Sequence, residues 1–441
     1  MKPIKSETAS CLRGTVHVPG DKSISHRALM IGALAVGDTH IVGLLEGEDV
    51  QKTSEALRNL GVIIEKQANS SWLVRGRGIC GLAEPAQMLD MGNSGTAARL
   101  LIGVLAAHPF STTISGDASL NSRPMGRVID PLKEMGAAFH ARSGSRLPIS
   151  ITGLADLMPI EYELPIASAQ VKSSILLAGL GAAGKTRVIE PKPTRNHTEL
   201  LLRHFGAEVD VLDLPNGARE VTVQGQPELT GCNVNVPGDI SSAAFTIAAS
   251  LLIPGSKVTI KGVGINPLRT GVVEVLKRMG GSITMTNLST EAGEPVADLT
   301  VEGSKLSGVT VAPKYAPSMI DEYPILAVCA ACANGTTRLE GLSELRVKES
   351  DRLESIAQGL QACGVDVEEG SDFLIIHGDG SVPMGGAKIK TALDHRIAMA
   401  FLVLGAVTTK PVTIDDEKPI ETSFPGFVKL MNSLGSQIVE P

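Results

Sequence analysis

The alternation of apolar and polar residues divides the 441-residue chain into six copies of one pattern. Each copy opens with a strongly apolar helical run, passes through a turn into a short β-branched strand, and continues with a second helical run that carries one apolar stripe. The second helix ends on a bulky residue followed by Gly, which is typical of a left-handed helix terminus, and another strand or hairpin follows. These glycines recur roughly every 70 to 85 residues, at Gly61, Gly136, Gly206, Gly280, Gly364 and Gly435.

We predict an α/β fold in which helix, strand, helix and hairpin repeat six times. Copies of about 74 residues fill the chain almost completely, so chance is a poor explanation of the pattern. An open solenoid is the alternative, but a solenoid needs atypical repeats at its ends, and the pattern shows none. The six apolar helices are predicted to begin near Ser23, Gly95, Ser168, Ile240, Glu322 and Asp394.

A duplicated segment divides the six copies into two sets of three. Val18–Arg27 reads Val-Pro-Gly-Asp-Lys-Ser-Ile-Ser-His-Arg, and the chain repeats its Val-Pro-Gly-Asp frame from Val236 onward. Two similar α/β domains are therefore predicted, with a ligand site in the cleft between them. Lys22 and Arg27 have apolar residues as counterparts in the second copy. Since the turn and helix form without these cations there, we infer a chemical role for both.

Composition and charge narrow the function classes. The net charge is −7 and aromatic residues make up 3% of the chain, which gives no reason to expect a nucleic-acid partner. The apolar runs are too short to span a membrane, and the N-terminus lacks the apolar core of a signal peptide, so we expect a cytoplasmic protein without a membrane partner. Cys329 and Cys332 match a redox or zinc spacing, but their apolar surroundings predict packed core residues. The His residues are scattered and no carboxylate cluster has metal-ligand spacing, so we expect no metal.

Helix starts in the first half of the chain carry groups that suit an anion. Asp21 or Ser23 can cap the first helix and leave backbone N–H groups beside Lys22 for a ligand. Gly95 would let a ligand approach the backbone closely. Arg123 precedes a Pro at another helix start and suits bidentate binding of phosphate or carboxylate. A Gly-rich turn and a surface Arg are the alternatives at these last two positions.

The third copy contains a nucleotide-binding signature in the wrong context. Gly179–Thr186 matches the P-loop expression letter for letter, but a P-loop needs a strand before it and a helix after it. Here the helical run comes first and a strand-like run follows, so we predict a structural turn. Ser168 and Gln170 open that helix, and Arg195 lies at the start of its partner helix.

Charged residues are dense in the fifth copy. Asp321 opens one helix, where a capping role is the alternative to a chemical one. The core stripe of the next helix, projected back one turn, carries Glu349 and Arg352, with Lys348 alongside. Charges that continue an apolar face are typical of a pocket, although a surface ion pair remains the alternative.

Helix starts throughout the chain thus contribute cations to the predicted cleft. In an acidic protein, such gathering favours a small, multiply anionic substrate. Asp321 and Glu349 are the candidates for proton transfer. The predicted cations are Lys22, Arg27, Arg123, Arg195, Lys348, Arg352, Arg396 and Lys418.

Seven ordered motifs closely resemble those of the EPSP synthase family, in its class II branch. This resemblance implies two lobes, each of three βαβαββ units with pseudo-threefold symmetry, an enolpyruvyl transferase-like inside-out α/β barrel. The first lobe would be residues 21–236, and the second would be residues 1–20 plus 237–441, with the active site in the cleft between them. The motifs are Asp21–Arg27, Asn93–Thr96, Ser122–Gly126, Ser168–Ser173, Asp321–Pro324, Leu345–Arg352 and Asp394–Met399.

The same resemblance implies a reaction and its residues. The enolpyruvyl group of phosphoenolpyruvate would move to the 5-hydroxyl of shikimate 3-phosphate, and phosphate would be released. The reaction would pass through a tetrahedral intermediate and need no cofactor. We expect the protein to be a monomer. Catalysis would fall to Lys22, Asp321 and Glu349. Shikimate 3-phosphate would contact Lys22, Ser23, Arg27, Ser168, Ala169, Gln170, Arg195, Asp321 and Lys348. Phosphoenolpyruvate would contact Lys22, Gly95, Arg123, Gln170, Arg352, Arg396 and Lys418.

Two residues depart from the family pattern. Ser94 stands where the family usually has Ala, and we expect it to tighten the pocket beside Gly95. Ala169 stands where the other branch has Ser, so one phosphate-binding hydroxyl is absent, and Arg195 is expected to compensate. Gly95 is the residue type that the family associates with sensitivity to glyphosate, a competitor of phosphoenolpyruvate, and we predict sensitivity.

Three other functions remain as alternatives. A transferase of enolpyruvate to UDP-N-acetylglucosamine would share the fold but typically has a Cys in the loop that is Gly116–Ser122 here, and this loop has none. An ATP-dependent phosphotransferase rests on Gly179–Thr186 alone. A non-catalytic scaffold would leave the converging cations and the two acids without a role.

Overall fold

The computed structural model of the protein describes residues 2–68 and 70–441. Its helices follow from apolar periodicity combined with local caps. In this part of the chain the helices are α1 (Lys22–Leu34), α2 (Glu48–Asn59), α3 (Gly95–Ala106), α4 (Ala118–Ser122), α5 (Gly126–Glu134), α6 (Ala169–Gly179), α7 (His197–His204), α8 (Ile240–Leu252), α9 (Gly271–Arg278), α10 (Ala316–Met319), α11 (Tyr323–Ala331), α12 (Arg352–Ala362), α13 (His395–Gly405) and α14 (Phe427–Leu434), with 3-10 segments at Pro313–Tyr315, Ser343–Val347 and Lys418–Thr422.

The strands are short, and most alternate buried and exposed residues because one face of each sheet packs on helices. They are β1 (Ile4–Glu7), β2 (Arg13–Val16), β3 (Val36–Val42), β4 (Ile63–Lys66), β5 (Trp72–Arg77), β6 (Leu89–Asp90), β7 (Ser111–Ser115), β8 (Ala138–Arg142), β9 (Arg146–Thr152), β10 (Glu161–Glu163), β11 (Lys185–Glu190), β12 (Val209–Asp213), β13 (Arg219–Gln224), β14 (Asn233–Asn235), β15 (Lys257–Gly264), β16 (Ser282–Glu291), β17 (Glu294–Glu302), β18 (Thr310–Val311), β19 (Asn334–Glu340), β20 (Asp366–Glu369), β21 (Phe373–Asp379), β22 (Lys388–Ile389), β23 (Val412–Ile414) and β24 (Gln437–Val439).

The sixfold repeat is confirmed, since the described strands form six sheets of one design. Each sheet has four strands, with orders β14-β3-β5-β4, β6-β7-β9-β8, β10-β11-β13-β12, β16-β17-β15-β2, β18-β19-β21-β20 and β22-β23-β1-β24. One edge strand pairs in parallel with its neighbour, as β14 does with β3, and the hairpin pairs antiparallel, as β4 does with β5. The N-terminal strand β1 completes the last sheet between β23 and β24.

The helix boundaries agree with the predicted starts and ends. The six apolar helices begin at Lys22, Gly95, Ala169, Ile240, Tyr323 and His395, each within one residue of the predicted start. The Gly that ends each second helix has a left-handed φ, between 85° and 112° at the six positions. Only Gly adopts this conformation without strain, so these six residues fix where each second helix stops.

The chain separates into two compact units, each with its own hydrophobic core. The first unit comprises Gly20–Val236 together with Thr290–Glu294, and the second comprises residues up to Pro19, Pro237–Ser289 and Pro295–Pro441. The core of the first unit surrounds α1, α3 and α6, and that of the second surrounds α8, α11 and α13. These six helices are apolar on nearly every side because they are enclosed by the sheets and outer helices of their unit.

Close helix packing in the first unit depends on a single glycine. A Cβ atom at Gly103 of α3 would lie 2.2 Å from the backbone oxygen of Ser174 on α6, so the two backbones touch at this level. The contact fixes the spacing of α3 and α6, whose first residues are Gly95 and Ala169. Two predicted binding segments are thereby held side by side at one end of the helix pair.

Two sequence motifs are structural, as predicted. Gly179 ends α6 and Lys185 begins β11, so the P-loop letters span a turn from helix to strand. Cys329 lies fully buried in α11, and Cys332 follows the end of that helix. Burial raises the pKa of Cys332 to about 12, so its thiol is uncharged near neutral pH. In the described part of the chain, no helix is long and apolar enough to cross a membrane.

Candidate active site

Lys22 is held against a carboxylate at the start of α1. Asp21 caps the helix by accepting from the Ile24 backbone N–H at 2.9 Å, so the capping role falls to Asp21. Lys22 Nζ forms an ion pair with Asp49, which lies in the first turn of α2 and has only 8% of its side chain exposed. Sequence reasoning missed Asp49, because its neighbours resemble any acidic helix start.

Arg27 is buried one turn further along α1. Its Nε donates to Thr198 Oγ1 at 2.7 Å, one Nη donates to the Ser23 carbonyl at 2.9 Å, and the other donates to Ser173 Oγ at 2.8 Å. Burial lowers the pKa of Arg27 to about 10, although the carboxylates of Glu199 and Asp21 oppose that change. The guanidinium is therefore charged at neutral pH. Three of its five N–H donors go to protein oxygens, so at most two remain for a substrate.

Gly95, Arg123 and Gln170 meet around a side chain that the sequence analysis did not select, Arg99. Arg99 donates to Gln170 Oε1 at 2.8 Å, and Gln170 Nε2 donates to Thr96 Oγ1 at 2.9 Å. A Cβ atom built on Gly95 would lie 2.9 Å from Arg99 Nη1 and 3.3 Å from Arg123 Nη1. The helical spacing of Gly95 and Arg99, four residues apart on one face, was the signal that could have identified Arg99.

The hydroxyl groups beside these residues cap helices. Ser94 Oγ accepts from the Ala97 N–H at 3.2 Å and caps the start of α3. The hydroxyl therefore has a structural role in α3, in addition to the tighter pocket expected beside Gly95. Ser168 Oγ accepts from the Val171 N–H at 3.4 Å and starts α6. Arg123 donates to Asn93 Oδ1 at 2.6 Å, which ties the Arg before the Pro to the segment that precedes Gly95.

His26 lies buried between Lys22 and Arg27, and its ring Nδ1 lies 2.7 Å from Thr53 Oγ1. Burial, helped by the positive charges of Lys22 and Arg27, holds the pKa of His26 well below its ordinary value. The native protein therefore keeps this ring neutral, whereas the unfolded chain binds a proton below about pH 6.5. The free energy of unfolding should fall as the pH drops below that value, by up to about 1.4 kcal/mol per pH unit.

A His26→Gln variant should lack this contribution. We expect the difference in the free energy of unfolding between wild type and His26→Gln to shrink as the pH falls from 7.5 to 5.5. Urea unfolding followed by the fluorescence of Trp72, the one Trp of the chain, measures it in the first unit. A difference that stays constant over this range would contradict the buried neutral state of His26.

In the second unit, Arg352 joins three carboxylates. Its side chain is 1% exposed, and it donates to Asp394 Oδ2 at 2.8 Å, to Asp321 Oδ1 at 3.2 Å and to Glu349 Oε2 at 2.5 Å. Burial acts to lower the pKa of Arg352, but the three carboxylates outweigh burial and raise it above its ordinary value. The guanidinium thus holds together the two acids that sequence analysis selected for proton transfer.

Of the other cations predicted in the second unit, Arg396 contacts the Arg352 group and Lys418 does not. Arg396 Nη1 donates to the Asp321 carbonyl at 3.4 Å, which brings Arg396 to the same group. Lys418 is exposed at the start of a 3-10 segment, where its backbone N–H donates to Asp416 Oδ1 at 3.3 Å. Lys348 follows the 3-10 segment Ser343–Val347. No contact in the structure joins Lys418 to Arg352.

One sequence-based projection was wrong. Glu349 was assigned to a helical stripe, but α12 begins only at Arg352, because Asp351 caps it by accepting from the Glu354 N–H at 3.0 Å. Glu349 lies in the preceding loop. It still reaches Arg352, so the predicted association of these two residues is present although the helix is not.

The predicted site residues therefore form two sets. Each set contains cations that lie near helix starts or on adjoining loops. The first-unit set is Lys22, Ser23, Arg27, Gly95, Arg123, Ser168, Ala169, Gln170 and Arg195, and the second-unit set is Asp321, Lys348, Glu349, Arg352, Arg396 and Lys418.

Comparisons with known proteins identify the family of the chain. A family model described as EPSP synthase (3-phosphoshikimate 1-carboxyvinyltransferase) matches residues 6–431. The 3-phosphoshikimate 1-carboxyvinyltransferase of Paramagnetospirillum magneticum is 59% identical over 437 residues, which are 99% of this chain and 98% of that protein. The solved structure of EPSP synthase from Acinetobacter baumannii superimposes with a TM-score of 0.88 at 45% identity, covering 99% of this chain and 100% of that chain.

A more distant solved structure shares the fold alone. The enolpyruvyl transferase NikO from Streptomyces tendae superimposes with a TM-score of 0.79 at 17% identity, covering 99% of this chain and 98% of that chain. The family model and the 59% identical relative place the chain among the enolpyruvyl transferases. Within that class, the chain belongs to the EPSP synthase family, whose reaction transfers the carboxyvinyl group of phosphoenolpyruvate to shikimate 3-phosphate.

Proposed function

We propose that the first-unit set and the second-unit set serve this reaction with the roles expected from the motifs. The observation that carries the proposal is the Arg352 group, in which one buried guanidinium binds both Asp321 and Glu349. A cation that attracts the phosphoenolpyruvate carboxylate would then sit beside the two groups that exchange protons. Membership of the family over residues 6–431 supports the choice of substrates.

The family resemblance assigns the proton transfers. Asp321 accepts the proton of the 5-hydroxyl while that oxygen attacks C2 of phosphoenolpyruvate, and Glu349, which takes up a proton when the substrates bind, donates it to the methylene carbon. The tetrahedral intermediate then loses phosphate, which carries away the proton held by Asp321, as Glu349 takes a proton back from the methyl carbon and the double bond is restored. Lys22 and the arginines stabilise the departing phosphate, since clamped cations offset charge that develops on its oxygens.

The phosphate of shikimate 3-phosphate is assigned to the first-unit set. Arg27 and Arg195 both belong to this set, and the positive charge of Arg195 helps burial to lower the pKa of Arg27. A bound dianion would relieve their repulsion. Ala169 offers only its backbone, and Ser168 retains a hydroxyl proton for donation while its oxygen caps α6.

The test is phosphate release from phosphoenolpyruvate with EDTA present and ATP absent, offering shikimate 3-phosphate and UDP-N-acetylglucosamine in parallel. Release with shikimate 3-phosphate alone is expected. Release with the sugar nucleotide alone would retain the fold and overturn the acceptor. If neither acceptor leads to phosphate release, the proposed function is wrong.

We also propose that the protein is a cytoplasmic monomer. Size-exclusion chromatography at working concentration tests the oligomeric state, and elution as a dimer would contradict the proposal.

Gly95→Ala tests the phosphoenolpyruvate assignment and the proposed sensitivity to glyphosate. The added methyl group would crowd Arg99 and Arg123, so we expect the KM for phosphoenolpyruvate and the inhibition constant of glyphosate both to rise, by roughly tenfold or about 1.4 kcal/mol. Wild-type enzyme should be inhibited competitively with phosphoenolpyruvate. Gly126→Ala is the matched control, since Gly126 also begins a helix but a Cβ there meets nothing closer than 3.5 Å. Equal effects of both substitutions would contradict the assignment.

A further inference from the structure

A buried hydrogen bond joins the tip of a hairpin to the start of α7. Strands β16 and β17 form this hairpin, and its tip, Thr290–Glu294, belongs to the first unit. Glu294 Oε1 lies 2.5 Å from His197 Nδ1, with 1% and 2% of the two side chains exposed. A carboxylate at this depth is costly unless it has a partner, so the contact is specific rather than incidental.

The position of His197 connects this pair to the proposed phosphate-binding cations. His197 is the first residue of α7, and Arg195 lies two residues before it. The next residue, Thr198, accepts the hydrogen bond from Arg27 Nε at 2.7 Å, and its hydroxyl also lies 2.6 Å from Ser173 Oγ. The segment from Arg195 to Thr198 thus carries one proposed phosphate ligand and orients a second.

The charge of Glu294 also affects the pKa of Arg27. Burial is the main reason that the pKa of Arg27 is lowered to about 10, and the negative charges of Glu199, Asp21 and Glu294 oppose it. The charge of Glu294 therefore acts on Arg27 through space, although less strongly than the charges of Glu199 and Asp21. The helix dipole of α7 does not need a hairpin carboxylate, because Glu199 already lies in the first turn.

We propose that Glu294 is a positioning residue for shikimate 3-phosphate. Through His197 it fixes the segment that carries Arg195 and the Thr198 hydroxyl, and so holds both arginines ready for the substrate phosphate. This inference rests on the proposed function, since it assumes that the first-unit set binds that phosphate. Glu294 touches neither substrate, and its effect is on binding rather than on the chemical step.

The experiment compares Glu294→Gln with Glu291→Gln in the full-length enzyme. Glu291 lies on the same hairpin and accepts from Asn235 Nδ2 at 2.9 Å, but it is outside the buried pair. Glu294→Gln should raise the KM for shikimate 3-phosphate roughly tenfold while changing kcat and the KM for phosphoenolpyruvate less than about threefold. Glu291→Gln should change none of the three. A role in folding alone would lower the melting temperature without separating the two KM values.

Each outcome bears on one claim. Equal kinetics for both variants, or equal rises in both KM values, would overturn the positioning role while leaving the function intact. If wild-type enzyme releases no phosphate with shikimate 3-phosphate, the proposed function fails, and that result is visible before any variant is made. If Glu294→Gln does not fold, Glu294→Asp keeps the charge with a shorter reach, and it should still raise the KM for shikimate 3-phosphate selectively. An unchanged KM in Glu294→Asp would then overturn the proposal.

Discussion

Replacing Arg352 by Lys should lower kcat/KM for phosphoenolpyruvate by on the order of a thousandfold, which corresponds to about 4 kcal/mol. Lys keeps the charge but offers one ammonium where Arg offers a planar fork. It therefore cannot bind Asp394, Asp321 and Glu349 together at the distances that the guanidinium maintains. Two carboxylates lose their cation, and Glu349 loses the contact that places it for proton exchange.

The same substitution should also destabilise the second unit by up to about 3 kcal/mol, because the fully buried Asp394 carboxylate loses its guanidinium partner and Lys replaces it only in part. Activity must therefore be compared in protein shown to be folded, by circular dichroism and by calorimetric binding of shikimate 3-phosphate. Arg338→Lys is the control: Arg338 pairs with Glu340 at 2.7 Å, but 41% of its side chain is exposed. Exposed pairs contribute about 0 to 1 kcal/mol, so this variant should behave as wild type. A folded Arg352→Lys enzyme with normal turnover would refute the assignment.

Helix starts and ends could be predicted because they depend on neighbours in sequence. Asp21, Ser94 and Ser168 are capping residues whose partners lie three residues away, and the terminal glycines need a left-handed φ whatever surrounds them. The same local rules misplaced the start of α12, because Asp351 and Glu349 both suit a helix N-terminus. Only the backbone shows that the cap is Asp351.

Partners of the site residues could not be predicted, because they come from distant segments. Asp49 lies 27 residues after Lys22, and Glu294 lies 97 residues after His197. In sequence these acids resemble any surface carboxylate. Their burial gives them a role, and burial follows from the packing of α2 and of the hairpin rather than from local pattern. The family motifs identified residues proposed to touch substrates but not the residues that hold them.

Lys172 is one of the residues that hold the proposed site in place without touching a substrate. Its replacement by Met should destabilise the first unit by about 3 to 5 kcal/mol. Lys172 has no exposed side-chain surface, and its Nζ lies 3.0 Å from Glu190 Oε1 and 2.7 Å from Glu199 Oε1. Met preserves the volume and removes the charge, so both carboxylates remain buried without their cation. Lys185→Met is the control, since Lys185 is exposed at the start of β11.

The pH dependence of this variant distinguishes lost charge from lost packing. Burial raises the pKa of Glu190 in the native protein, and Lys172 opposes that rise. Without Lys172 the native pKa should rise further. A raised native pKa means that stability is gained as the pH falls through it, because the native state then binds the proton more tightly than the unfolded state. The deficit of Lys172→Met, measured by urea unfolding with Trp72 fluorescence, should therefore be smaller at pH 5 than at pH 7.5. A loss of unfolding free energy that does not depend on pH would show that Lys172 contributes through packing alone. The triple variant Lys172→Met/Glu190→Gln/Glu199→Gln is a second test. If it recovers the stability of the wild type, the three charges stabilise the fold only as a group.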